Sequence, residues 1–187
     1  YRDSANHRGP LPFFIYKLIF IFFGDGVNAI HGFLTLYVLF EVLALYGLAY
    51  ALFHSVHAAF FTALTFSLLT FEPLTGLGTA ANFEIFMVLP AILGAFFLIS
   101  AVRDGRRMDY FYSGLFMGTA AMSKQTAVFD GAFFLAYLLY ANRKSRPHLL
   151  PSAASYGAGC LGVPLLFCAL FYNYGALREF IYCTFVS

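Results

Sequence analysis

The chain has 187 residues, 61% of them hydrophobic and only 11% charged, with a mean hydropathy of +0.77. Soluble domains carry roughly 25% charged residues, so a water-soluble globule is excluded and a polytopic membrane protein is indicated. A formal charge of +2 without any basic stripe also excludes a nucleic-acid partner.

Apolar stretches follow one another at 12–23, 27–53, 56–71, 85–102, 110–122, 126–141, 149–172 and 180–187. In lipid the backbone has no water partner, so such segments must close their hydrogen bonds as helices. The expected fold is all-α: a polytopic transmembrane helix bundle with a juxtamembrane helix and short hairpin helices. The polar breaks are too short to be separate domains, and there is no repeat or low-complexity tract, so residues 1–187 read as one transmembrane domain. The chain opens on Tyr1 rather than Met and stops inside an apolar run, which reads as an interior piece of a longer protein.

Lys and Arg set the expected orientation. Arg103, Arg106 and Arg107 form one cluster, and Arg143, Lys144 and Arg146 form another. Basic loops favour the cytoplasmic side, so 103–109 and 142–148 are placed there, in a plasma or inner membrane. Residues 110–141 must then cross and return, with Ser123-Lys124-Gln125 at the turn. Both arms fall short of the roughly 20 residues of a full span, so this turn is expected at membrane depth, sheltered by protein. Tyr110, Tyr112, Tyr137 and Tyr140 suit an aromatic belt at the inner interface. Counting onward puts 72–84 and 1–11 on the extracytoplasmic side, His54 and His57 inside, and 173–179 outside. The 12–23 stretch carries Lys17 and is short for a span, so it is placed along the outer interface.

The outer polar groups are the candidates for chemistry. Asp3, His7 and Arg8 precede the helix-breaking Gly9-Pro10. A carboxylate and an imidazole could hold an acceptor hydroxyl or a divalent cation, and Arg8 could clamp a phosphate; a plain wet loop is the alternative. Glu84 is either a helix-start carboxylate beside the N-cap Asn82 or a cavity residue. Lys124, a charge in an apolar hairpin, either contacts phosphate or pairs with a carboxylate, Asp130 being nearest in sequence. Glu41 sits mid-segment with Tyr37 one turn earlier as a local donor, and its role is functional or structural. His31, His54 and His57 could ligate a metal or pigment but read more simply as interfacial. Cys160, Cys168 and Cys183 lack metal-like spacing and read as free buried thiols. No metal site is assigned, and no nucleotide-binding or hydrolase motif occurs.

Four stretches resemble a known family. They are Tyr1-Arg-Asp with Arg8-Gly-Pro-Leu, Phe-Phe-Ile-Tyr and the Phe-Phe-Gly at 22–24; Asn82-Phe-Glu-Ile-Phe-Met-Val-Leu-Pro; the run from Gly114 to Ser123-Lys-Gln-Thr; and Gly175-Ala-Leu-Arg-Glu-Phe-Ile-Tyr. Their order and spacing resemble the dolichyl-phosphate-mannose-protein mannosyltransferase-like (ArnT-like) GT-C membrane glycosyltransferases over nearly the whole chain. The resemblance implies an enzyme that moves a sugar from a polyprenyl phosphate to an acceptor on the extracytoplasmic side. It also implies that Arg8, Lys124 and Glu84 border the donor cavity. The family's principal acid, and its first span and first outer loop, would precede Tyr1, so the catalytic residue is not assigned here. The expected partners are membrane lipid, the polyprenyl-phosphate sugar and further subunits of a membrane complex. The competing reading is a noncatalytic transmembrane subunit that binds pigment or lipid. A transporter would show Gly/Pro-broken segments in two matching halves, and the sequence has none.

Overall fold

The computed structural model describes residues 9–70, 83–143, 146–182 and 184. They form eight helices: α1 (Leu11–Phe23), α2 (Val27–Phe53), α3 (Val56–Thr70), α4 (Phe83–Asp104), α5 (Arg107–Ser123), α6 (Ala127–Ala141), α7 (Arg146–Asn173) and α8 (Leu177–Ile181). No strand occurs among the described residues. The first seven apolar stretches coincide with α1 to α7 to within a few residues, and α2 matches at both ends. Half of the 180–187 stretch, with Cys183, lies outside the described residues.

Val27–Phe53, Glu84–Asp104 and Leu149–Asn173 are long and apolar enough to cross a membrane, while Leu11–Phe23, Val56–Thr70 and Ala127–Ala141 are apolar but shorter. Large side chains such as Phe22, Phe40, Phe61, Phe129 and Leu165 are exposed on the bundle's flanks, as expected where lipid is the solvent. The chain is an integral, polytopic membrane protein.

The centre of the bundle is α5, packed chiefly against α7 and α4. Its small residues explain this. A Cβ at Gly114 would overlap the Tyr156 carbonyl oxygen, and one at Gly118 would overlap that of Cys160. Without side chains at these two positions the backbones of α5 and α7 touch, the usual way helices associate in lipid. Pro164, inside α7, has no N–H to offer the Cys160 carbonyl one turn back, and that same carbonyl is the one lying on Gly118.

Helix direction divides the bundle into two ends. After α4 the chain reverses at Gly105, whose φ of 71° is left-handed, so α4 and α5 run antiparallel. Contacts advance together along α5 and α7, from Ser155 Oγ donating to Arg107 O at 2.9 Å to Met122 sharing a core with Phe167, so these two are parallel. One end therefore gathers Arg103, Arg106, Arg107 and Arg143. There the Asn142 amide donates to the Tyr110 hydroxyl at 3.0 Å, closing the α5–α6 hairpin. Tyr110 is buried and ties the bundle together, whereas Tyr112, Tyr137 and Tyr140 are exposed.

The other end is crossed by α1. Along its length Phe14 meets Phe167 of α7 at 5.4 Å, Tyr16 meets Phe86 of α4 at 5.6 Å, and Phe23 meets Phe33 of α2 at 6.3 Å. A helix touching three neighbours in succession lies across their tips, which suits the juxtamembrane role expected of it.

Candidate functional site

The turn between α5 and α6 is Ser123-Lys124-Gln125-Thr126, and each side chain reaches a different place. Ser123 Oγ donates to the Phe86 carbonyl at 3.1 Å. Lys124 Nζ donates to Glu84 Oε1 at 2.5 Å. The Gln125 amide donates to the Thr184 carbonyl, and Thr126 Oγ1 lies 3.7 Å from the Met87 sulfur. Three of these four contacts land on the first turns of α4. The cause is the antiparallel pairing, which sets the start of α4 beside the end of α5.

The Glu84–Lys124 pair identifies the carboxylate that Lys124 meets: it is Glu84, 40 residues away, and not the nearby Asp130. Each charge also suits its own helix. Glu84 is in the first turn of α4, where the dipole favours an anion, and Lys124 caps α5, where it favours a cation. The pair is not sealed in, since the Lys124 and Glu84 side chains are 36% and 48% exposed. An exposed pair of this kind adds little stability, about 0–1 kcal/mol. Its value lies in placement.

Gly9 completes this end. It packs so closely on the Met122 and Ser123 carbonyls that any Cβ would overlap them. Gly9 is the chain neighbour of Arg8, but Asp3, His7 and Arg8 themselves lie outside the described residues, as does Asn82. The structure therefore brings Glu84 and Lys124 together, with the backbone at residue 9 against the same turn.

A groove of about 520 Å³ opens between α5, α6 and α7, within the usual 300–1,000 Å³ range of ligand sites. Its walls are mostly apolar, with Gly118, Ala121, Gly131, Ala132 and Gly157 leaving the space, and Gln125 of the α5–α6 turn also lines it.

Other sequence candidates fall elsewhere. His31 is near the start of α2 and His54 caps its end, separated by roughly 34 Å at 1.5 Å per residue. Among the described residues no three His, Cys, Asp or Glu side chains converge as a metal site. Glu41 is buried at 1% exposure with Oε1 unpaired. Tyr37 is not its donor, because that hydroxyl goes instead to the Phe86 carbonyl at 3.2 Å.

With this geometry in place, the sequence was found to match the dolichyl-phosphate-mannose-protein mannosyltransferase family over residues 7–174. The chain belongs to that family. The match includes Glu84, Lys124 and the groove, and it makes the protein a glycosyltransferase-family member whose donors are lipid-linked sugars. No curated protein and no solved structure gave a match.

Proposed function

We propose that the Lys124 end of the bundle is the donor end of a sugar-transfer site on the extracytoplasmic side. The four basic side chains gathered at the opposite end, Arg103, Arg106, Arg107 and Arg143, support cytoplasmic placement of 103–109 and 142–148. Residues 1–11 and 72–84 are then extracytoplasmic.

The observation that carries this reading is a half-exposed ammonium on the α5–α6 turn, whose next residue, Gln125, lines an apolar groove. An ammonium has three donors, and Glu84 takes one, leaving others for the phosphate oxygens of a lipid carrier. Arg8 is its proposed partner, since a guanidinium and an ammonium together offset the charge that builds on the departing phosphate. The proposed occupant of the groove is the first isoprenoid units of the same carrier. Transfer is direct displacement: a carboxylate base takes the acceptor hydroxyl's proton as the oxygen attacks the sugar, and the lipid phosphate leaves. Glu84 is held by Lys124, so its role is to aim that cation, and the base is a different carboxylate. Asp3 and His7 are proposed to receive the acceptor hydroxyl or a divalent cation. A chelator separates these: turnover lost and restored by added cation favours the metal, and unchanged turnover favours the hydroxyl.

The test is sugar release by the purified full-length protein from a polyprenyl-phosphate donor. Lys124→Ala and Arg8→Ala each lower turnover on the order of a hundredfold. Turnover equal to the unsubstituted protein rejects the assignment.

A further inference from the structure

Pro90 lies inside α4 and has no N–H. The Phe86 carbonyl, four residues back, therefore has no intrahelical donor. A buried acceptor left empty costs about 1–3 kcal/mol, and Phe86 is wholly buried, out of reach of water. Two hydroxyls from two other helices supply the bond: Tyr37 OH from α2 at 3.2 Å and Ser123 Oγ from α5 at 3.1 Å.

What makes this more than a satisfied carbonyl is its position in the chain. Phe86 lies two residues after Glu84, and Ser123 immediately precedes Lys124. Ser123 and Phe86 are both fully buried, whereas the charged pair beside them is open. Ser123 Oγ also lies 3.3 Å from the Thr119 carbonyl of its own helix, a common resting place for a helical serine. One hydroxyl proton serves one acceptor well, and only the Phe86 carbonyl lacks a helical donor. Tyr37 is itself fixed, stacked on Phe33 at 5.9 Å and edge-on to Phe86 at 5.5 Å.

We infer that Tyr37 and Ser123 are positioning residues, whose hydroxyls grip the carbonyl that Pro90 frees and so set Glu84 opposite Lys124. The inference rests on the donor-site reading for its functional meaning, but its geometry is tested without any sugar transfer. A hydroxyl that only stabilised the bundle would leave the distance between the two charges unchanged.

Zero-length carbodiimide coupling of the Glu84 carboxylate to the Lys124 amine, followed by peptide mass spectrometry on the full-length protein, reads that distance. In Tyr37→Phe/Ser123→Ala the Glu84–Lys124 amide falls roughly tenfold, and donor turnover falls with it. Ser123→Thr keeps a hydroxyl and retains coupling within about twofold of the parent when Tyr37 is intact. Pro90→Ala gives the Phe86 carbonyl an N–H of its own, so in that background removing both hydroxyls changes coupling by less than about twofold. This arm also serves if the double variant folds poorly with Pro90 present. Coupling unaffected by loss of both hydroxyls, or equally reduced with and without Pro90, overturns the inference. Coupling lost while turnover stays intact supports the grip and instead rejects the donor role of the pair.

Discussion

The two ends of the bundle handle charge in opposite ways. At the basic end two of the four cations are met by their own chain neighbours: Arg103 pairs with Asp104 at 3.0 Å, and the Arg143 guanidinium lies 4.2 Å over the Tyr140 ring. At the other end Lys124 is paired across 40 residues, and Ser123 across 37. Charges that need no tertiary structure act wherever the segment goes, which suits a signal for orientation. Charges fixed only by the folded bundle suit a site.

That contrast breaks most completely through α5, the helix that joins both ends. Gly114→Leu forces a side chain into the Tyr156 carbonyl and is expected to cost about 3 kcal/mol or more, seen as loss of monodisperse protein after extraction. Lys124→Ala leaves folding intact and removes activity as described above, while Arg103→Ala leaves turnover within about twofold. A smaller effect is expected from exchanging the pair. Glu84→Lys with Lys124→Glu keeps the attraction, though each charge then opposes its helix dipole at about 0.3–1 kcal/mol apiece. Thermal stability therefore drops modestly, and turnover is not restored because the cation has moved. Tyr110→Phe removes one buried hydrogen bond at the basic end, worth about 1 kcal/mol, and lowers the melting temperature without altering turnover. An equal loss of turnover in Tyr110→Phe and Lys124→Ala would erase the distinction between the ends.

Much of the architecture was legible because hydrocarbon leaves the backbone few options. Apolar runs became helices, and α2 kept its expected bounds. The hairpin around Lys124 followed from the two basic clusters alone. Partners were harder to read. Sequence distance favoured Asp130 for Lys124, yet antiparallel packing delivers Glu84. Tyr37 sits one turn from Glu41, yet it serves a carbonyl on another helix. In both cases the local pattern shows what a side chain can offer, and only helix pairing shows to whom. The freed acceptor at Phe86 was implicit in Pro90, four positions on; its two donors were not. The basic residues around Tyr110 were plain in the sequence, but its bond to Asn142 at the end of α6 was not.

The brevity of the hairpin has a consequence for the membrane itself. At 1.5 Å per residue α5 and α6 extend roughly 25 Å and 22 Å, against a hydrocarbon layer of about 30 Å. Lipids meet a short span by thinning around it. Were the bilayer to thin in this way over the Lys124 turn, the phosphate of the proposed donor would reach it without being lifted from its leaflet.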